Sequence, residues 1–139
     1  MLMTIGQIAN ASGTGIQTLR YYEREKLLPP AARKPSGYRV YYPEAVARLR
    51  FIRRAKDLGF SLQEIRELLK LQDEKPGNRA RVKIIADRKV TELDEKIRDL
   101  TRMREVLARL ARSCSGKGPV HGCPIVEALL DNDSSRTVL

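Results

Sequence analysis

The chain has 139 residues, 27 of them Lys or Arg against 17 Asp or Glu, and a formal net charge of +10. This length allows one domain with an extension, or two small domains. No apolar run is long enough to cross a bilayer, and the first residues lead straight into a helical pattern, so we expect neither a membrane span nor a signal peptide. The charge favours a polyanionic partner, which is DNA, RNA or an anionic membrane face. Of these we expect DNA and no membrane, and we expect the protein to be cytoplasmic.

Positive charge is concentrated in the first half of the chain. Residues 1–72 hold 13 Lys and Arg against 6 Asp and Glu, a net of +7, whereas residues 73–139 hold 14 against 11, a net of +3. The basic half also contains the pattern described next, which indicates a DNA-binding motif.

Two capping patterns flank a single glycine near the start of the chain. Thr4 to Gln7 and Thr14 to Gln17 both fit the sequence of a capping box, and Gly13 lies between them as a left-handed helix stop. The pattern predicts helices over 5–11 and 15–26, the layout of a helix-turn-helix. The residues expected in its core are Ile5, Ile8, Ala9, Ile16, Leu19, Tyr22 and Leu27.

A turn-forming segment follows the second helix. Leu28-Pro29-Pro30 is expected to end that helix, because proline cannot continue it. Pro35, Ser36 and Gly37 predict a turn, and the run after them is rich in residues that favour strands. We therefore predict a hairpin wing over 31–42, with Arg33 and Lys34 on one arm and Tyr38 and Arg39 near its tip.

Two further helices and a linker are predicted before the middle of the chain. Pro43 opens a helix over 43–58, and Ser61 to Glu64 is a third capping pattern that opens a helix over 62–72. Residues 73–77 predict a polar linker. The apolar residues expected to pack against the first two helices are Phe51, Ile52, Leu58, Phe60, Leu62, Ile65, Leu68 and Leu69.

Residues 80–112 contain neither Gly nor Pro and predict one long helix of roughly 50 Å. Its apolar residues recur at spacings of three and four, which forms a stripe that a small N-terminal domain cannot cover. A coiled-coil homodimer is the expected solution. The stripe consists of Val90, Leu93, Ile97, Leu100, Met103, Val106, Leu107 and Leu110.

The second predicted helix and the wing supply the candidate DNA contacts. A recognition helix enters the major groove with its N-terminal end forward, and arginine pairs with guanine edges or phosphates. Wing residues suit phosphate contacts, which position a protein without reading sequence. The predicted contacts are Thr14, Gln17, Thr18, Arg20, Tyr21, Tyr22, Arg33, Lys34, Tyr38 and Arg39, with Arg53, Arg54 and Lys56 as a secondary set. Tyr22 is equally compatible with the core.

Cys114 and Cys123, the only cysteines, flank a glycine-rich loop of eight residues before a predicted short helix from Pro124. Such a loop can bring two thiolates together, and a thiolate pair suits a soft ion such as Cu(I), Ag(I), Au(I) or Hg(II). His121 lies close enough in sequence to be a third ligand, for example for Zn(II), or it is simply exposed. A reversible disulfide between Cys114 and Cys123 is the alternative.

The sequence does not indicate an enzyme. No nucleophile, base and orienting group occur together, so we do not expect catalytic activity.

Together these motifs resemble the MerR family of bacterial transcription regulators, over roughly residues 3–130. The resemblance is carried by Leu19-Arg20-Tyr21-Tyr22-Glu23, Leu27-Leu28-Pro29, Gly37-Tyr38-Arg39, Arg54-Ala55, and the run from Leu58 to Ile65. The C-terminal Cys-x8-Cys-Pro-Ile segment is similar to the metal-sensing branch, which includes copper-efflux and mercury-type regulators.

The resemblance implies a mainly α homodimer. It assigns residues 1–73 to a winged helix-turn-helix DNA-binding domain, 78–113 to an antiparallel coiled-coil helix, and 114–130 to a metal-binding loop and short helix. Residues 131–139 lie beyond the resemblance, and their polar sequence predicts a flexible tail. The resemblance also implies that each of the two winged helix-turn-helix domains of the dimer binds half of a promoter operator. Binding of the effector then distorts the DNA, which aligns the promoter for RNA polymerase and activates transcription.

One position departs from the family pattern. Three-thiolate mercury or lead sensors have a further cysteine at the start of the long helix, and copper-type members have serine there; this place falls at or near Arg79. Two thiolates with a monovalent ion carry a net charge of −1, which a nearby cation stabilises. Cu(I), Ag(I) or Au(I) is therefore favoured over Hg(II) or Zn(II). A DNA-binding protein without a metal effector is a further alternative.

Overall fold

The computed structural model describes residues 1–29 and 31–131, and the described residues divide into two compact units between Ala86 and Asp87. The tail predicted over 131–139 lies, apart from its first residue, outside the described residues. The elements in chain order are β1 (Met3–Thr4), α1 (Ile5–Ser12), α2 (Ile16–Arg24), β2 (Ala32–Arg33), β3 (Arg39–Tyr41), α3 (Glu44–Asp57), α4 (Leu62–Asp73), α5 (Arg79–Ser113) and α6 (Pro124–Leu130). Within the described ranges, no helix is both long and apolar enough to cross a membrane.

Helix α1 begins and ends as the sequence predicts. The Thr4 hydroxyl accepts the backbone N–H of Gln7 at 3.2 Å, and the Gln7 side chain accepts the N–H of Thr4 at 2.9 Å. Gly13 ends the helix with φ 71° and ψ 19°, a left-handed conformation that disfavours a β-carbon.

The second predicted capping box does not form. Gly15, not Thr14, is the N-cap of α2, with φ −64° and ψ 152°, and no side chain caps the helix. Thr14 lies one residue too early and is buried. The helix also ends earlier than predicted, at Arg24. Lys26, with φ 60°, leaves the helical conformation before the prolines are reached.

The wing is confirmed as a hairpin, but it belongs to a three-stranded antiparallel sheet of order β1-β3-β2. Ala32 pairs with Val40 and Arg33 with Arg39, so Arg39 lies beside Arg33 instead of at the tip. The turn is closed by the Lys34 N–H, which donates to the Tyr38 carbonyl at 2.9 Å. Strand β1, which the sequence analysis missed, pairs with β3 and places the start of α1 against the wing.

The core of the N-terminal unit lies between α1, α2, α3, α4 and the sheet. Two predicted core residues lie elsewhere: Ile16 is 40% exposed and Leu58 is 65% exposed. Leu58 follows the last residue of α3, where the chain turns away from the core. A capping box between Ser61 and Glu64 opens α4 as predicted. The residues buried in the core are Ile8, Leu19, Tyr22, Leu27, Leu28, Tyr41, Ala45, Leu49, Ile52, Ala55, Ile65 and Leu69.

Helix α5 has 35 residues, which makes it about 52 Å long. Its predicted apolar stripe is exposed along most of its length in the single chain: Leu93 is 37%, Ile97 60%, Leu100 62% and Leu107 59% exposed. Helix α6 is short and also exposes Leu129 and Leu130.

Candidate DNA-binding surface and thiol site

The outer face of α2 carries the predicted reading residues. Gln17, Thr18 and Arg20 are exposed, whereas Leu19 and Tyr22 point into the core. Because Tyr22 is only 8% exposed, it is a core residue and is removed from the predicted DNA contacts. Its burial also raises the pKa of its hydroxyl, with a further contribution from Tyr21.

Two other predicted contacts at this helix have different surroundings. Thr14 is 8% exposed and its N–H is held by the Ala9 carbonyl at 3.1 Å, so it is also removed from the contact set. Tyr21 is partly exposed, and the Arg24 guanidinium lies 6.0 Å from the centre of its ring. Tyr21 therefore stays a candidate contact, with Arg24 as a neighbouring cation that the sequence analysis did not select.

A groove of about 940 Å³ lies between α2 and the wing. Four arginines line it together with one carboxylate, so its charge suits a phosphate backbone. Of the predicted wing contacts, Arg33, Tyr38 and Arg39 line the groove, and Lys34 is exposed on the turn beside it. The lining residues are Thr4, Ile5, Arg20, Glu23, Arg24, Arg33, Ser36, Gly37, Tyr38 and Arg39.

The carboxylate of this groove belongs to Glu23, to which the sequence analysis assigned no role of its own. It accepts hydrogen bonds from the Ala31 N–H at 3.0 Å and from the Tyr41 hydroxyl at 2.8 Å, and it lies 3.5 Å from the Arg39 guanidinium. The only sequence signal was a carboxylate next to a buried aromatic residue on the recognition helix.

Arginines of α3 fix the turn between α1 and α2. Arg50 donates to the Ala11 carbonyl at 3.0 Å and Arg53 to the Gly13 carbonyl at 3.1 Å. Arg53, one of the secondary DNA candidates, therefore supports the helix-turn-helix geometry directly. Arg54 and Lys56 are exposed on the same helix.

The loop after α5 brings the two cysteines together. The Cys114 and Cys123 sulfur atoms lie 3.7 Å apart, both residues are partly buried, and both are free thiols. Gly116, Gly118 and Gly122 have φ values of 75°, 99° and 86°, which lets eight residues fold back on themselves. The predicted proximity of the pair is thus present in the structure.

Cys123 is the N-cap of α6, and its environment favours the thiolate. The backbone N–H groups of Val126 and then Ile125 lower the pKa of its thiol, and the Cys114 side chain lowers it further. Desolvation and the charge of Glu127 act in the opposite direction, so that the net shift is downwards. A thiolate is the form that binds metals and reacts with electrophiles.

The donor set fits a soft ion held by two sulfurs. With metal–sulfur bonds of about 2.3 Å, a bent arrangement near the tetrahedral angle needs sulfurs about 3.8 Å apart and a linear one about 4.6 Å. The observed 3.7 Å suits the first directly, and the second requires the glycine-rich loop to open by roughly 0.9 Å.

The structure does not add a third ligand. His121 is exposed, and within residues 1–29 and 31–131 no three or more His, Cys, Asp or Glu side chains are grouped as a metal site. Arg79 is exposed at the first position of α5.

Comparison with known proteins places the chain in a family. Residues 3–72 match the MerR HTH family of regulatory proteins, and residues 46–110 match the family described as MerR, DNA binding. The chain is 43% identical over 129 residues to the HTH-type transcriptional regulator HmrR of Rhizobium leguminosarum bv. viciae, covering 93% of this chain and 98% of that protein.

Metal-responsive proteins occur among the similar ones. The mercuric resistance operon regulatory protein of Bacillus cereus is 36% identical over 130 residues, covering 94% of this chain and 98% of that protein. The crystal structure of the transcription regulator PbrR691 of Ralstonia metallidurans CH34 in complex with lead(II) superposes with a TM-score of 0.82 at 33% identity, covering 91% of this chain and 98% of that one. The chain belongs to the MerR family of helix-turn-helix transcriptional regulators.

Proposed function

We propose that this protein is a promoter-binding regulator whose homodimer responds to a thiophilic metal ion held by Cys114 and Cys123. The observation that carries the proposal is the 3.7 Å separation of the two sulfurs, since these are the only cysteines in the chain. The ion would join the two ends of the loop that connects α5 to α6. As the family resemblance implies, the loaded dimer then distorts the operator and activates transcription with RNA polymerase.

The DNA-binding part is supported by the groove between α2 and the wing. Arg20 lines its helix side, and Arg33 and Arg39 provide cations at its wing side. Gln17 and Thr18 are exposed on the same helix and provide further base-reading groups. Lys34, Tyr38 and Tyr21 complete the proposed contact set. Hydrogen bonds to bases give specificity, and contacts to phosphates fix the position of the protein.

We infer that the ion is a monovalent coinage metal: Cu(I), Ag(I) or Au(I). Two thiolates satisfy the low coordination number of such ions, whereas zinc sites are almost always built from four ligands. Exposed His121 adds no donor beside the pair. The relatives named above include mercury- and lead-associated proteins, so the choice of ion depends on the donor count in this chain.

A metal competition tests the effector site. Cu(I), Ag(I), Hg(II), Zn(II) and Pb(II) are titrated into the purified protein, with binding stoichiometry and promoter transcription in vitro as readouts. We expect one monovalent ion per thiol pair, and loss of both binding and induction in Cys114→Ser, while DNA binding persists. His121→Ala is the matched control and should respond normally. A normal response in Cys114→Ser, or no response of the native protein to any ion, would overturn the assignment.

A second candidate is a thiol-based redox regulator, which the same 3.7 Å separation favours, because a modest movement closes a disulfide. Peroxide treatment in the absence of metal separates the two candidates. A redox regulator changes transcription when peroxide oxidises the two thiols of each chain to a disulfide, with loss of two hydrogens. A metal regulator changes transcription only when the ion is added.

The DNA contact is tested with a duplex selected by the native protein from a random-sequence pool. Arg20→Ala is expected to weaken binding to this duplex by about 1–3 kcal/mol and to relax base preference at one position, because arginine reads a base edge bidentately. Arg98→Ala, which removes an exposed arginine of α5, is the charge-matched control. An unchanged affinity and footprint in Arg20→Ala would contradict the proposed reading face.

A further inference from the structure

Glu23 is a partly buried carboxylate in the arginine-lined groove between α2 and the wing. Its side chain is 15% exposed, and it is the only acidic residue among the groove-lining residues in the described part of the chain. A carboxylate in such a place lowers the attraction of the groove for phosphate. Burial of the charge also costs free energy unless hydrogen bonds compensate it.

The three groups that compensate this charge all belong to the wing. The Ala31 N–H immediately precedes β2, and Arg39 and Tyr41 are the first and last residues of β3. Tyr41 is itself 3% exposed, so its hydroxyl is held rigidly against the carboxylate. Glu23 therefore fastens both strands of the wing to the recognition helix.

Arg39 gains a defined position from this contact. One of its guanidinium nitrogens lies 3.5 Å from Glu23, and a guanidinium carries five N–H donors, so others are left to face a phosphate. The register places Arg39 directly beside Arg33 on the neighbouring strand. An arginine held in this way loses less conformational entropy when it binds a phosphate than a freely rotating one.

We propose that Glu23 is a positioning residue for DNA binding. It sets the spacing between the reading face of α2 and the wing, and it holds Arg39 in the orientation that contacts the phosphate backbone. This inference rests on the proposed DNA-binding function. It assigns a role in DNA affinity to a residue whose own charge opposes DNA.

The test is a double-mutant cycle on the duplex selected from the random-sequence pool. Glu23→Gln keeps an oxygen for the Ala31 N–H but removes the charge that holds Arg39. Glu25→Gln is the control for net charge, because it removes the same charge from an exposed residue two positions along the chain. Affinity is measured for these variants, for Arg39→Ala and for Glu23→Gln/Arg39→Ala, each at several salt concentrations.

We expect Glu25→Gln to bind as tightly as the native protein or more tightly, and Glu23→Gln to bind about fivefold more weakly than Glu25→Gln. Arg39→Ala should cost less affinity in the Glu23→Gln background than in the native one. The change that Arg39→Ala makes in the slope of log affinity against log salt concentration should also be smaller in the Glu23→Gln background. A general loss of stability would not produce this coupling to Arg39.

Tyr41→Phe is the second variant, since it removes one donor to Glu23 without changing any charge. It should fold, as judged by circular dichroism, and show a smaller effect of Arg39→Ala than the native protein does. Equal affinities of Glu23→Gln and Glu25→Gln, with Arg39→Ala equally costly in every background, would overturn the inference and leave DNA binding intact. If the native protein retains no duplex from the pool, both the proposed function and this inference fail.

Discussion

At the scale of single residues, Cys123 shows how backbone N–H groups at a helix start can lower the pKa of a thiol. Cys123 is the N-cap of α6, and the N–H groups of Val126 and Ile125 belong to the first turn of that helix, where N–H groups have no helical partner. These groups lower the pKa of the thiol by stabilising its charged form. Glu127 raises it through its charge, while its carboxylate also accepts the Gly122 N–H at 3.3 Å.

The lowered pKa of Cys123 predicts a pH-dependent reactivity. In a Cys114→Ser protein, the alkylation rate of Cys123 by iodoacetamide should reach its half-maximum at a lower pH in the folded chain than in urea. Between the folded pKa and the unfolded one, the folded chain binds fewer protons, so the free energy of unfolding rises with pH and this contribution is lost as the pH falls through the folded pKa. Glu127→Gln should move the midpoint further down. Coincident folded and unfolded midpoints would contradict the prediction.

Residue roles were predictable from sequence where they depend on local geometry. The boxes at Thr4 and Ser61 form because the threonine or serine is itself the extended N-cap residue. Thr14 has the same spacing, but the extended residue is Gly15, and a sequence pattern contains no information on that one-residue difference. The role of Glu23 was not predictable either, because its three donors lie 8 to 18 residues away.

At the scale of elements, the wing is stabilised by more than its own hairpin. Strand β1 has two residues and adds pairings to β3, so the chain just before α1 and the wing form one sheet. A two-residue strand has no periodicity, which is why the sequence could not predict it. The long helix α5 was predicted almost to its ends, because 33 residues without Gly or Pro leave few alternatives.

The buried tyrosines beneath the recognition helix and the wing predict a loss of stability at alkaline pH. Burial raises the pKa of Tyr41 above 10.0, and the hydrogen bond to Glu23 raises it further; burial also raises that of Tyr22. Above pH 10.0 the unfolded chain loses these protons first, so the folded chain binds more protons and the free energy of unfolding falls until the folded pKa values are passed.

Urea midpoints at pH 9 and pH 10.5 measure this effect. The decrease between the two pH values should be smaller in Tyr41→Phe than in the native protein. Tyr38→Phe is the matched control, because Tyr38 is on the same wing but 73% exposed, and it should behave like the native protein. An equal decrease in all three proteins would show that tyrosine burial does not cause it.

At the scale of the whole molecule, the apolar stripe of α5 is a row of hydrophobic side chains that the single chain leaves exposed to solvent. Exposed Ile97, Leu100, Met103 and Leu107 lie at helical spacings of three and four, and a row of this kind is covered in most folded proteins by a partner helix. A second copy of the chain supplies an identical stripe, so the contact is self-complementary under two-fold symmetry. A homodimer stays a prediction for this chain, and the sequence leads to it because the stripe repeats along one long helix.

The stripe predicts that one charge within it separates the dimer. Leu100→Lys is expected to weaken dimerisation by about two to four orders of magnitude, since each of the two buried leucines contributes roughly 1.5–3 kcal/mol and two like charges replace them. Thr91→Lys adds the same charge nine residues earlier, on the opposite side of α5, because nine residues turn an α-helix by about 900°. Sedimentation equilibrium should find a monomer for Leu100→Lys and a dimer for Thr91→Lys at the same concentration.

The DNA affinity of Leu100→Lys should fall because the dimer is lost: two linked DNA-binding domains bind a two-part operator far more tightly than one domain does. A dimeric Leu100→Lys protein would place the interface on another surface of the chain.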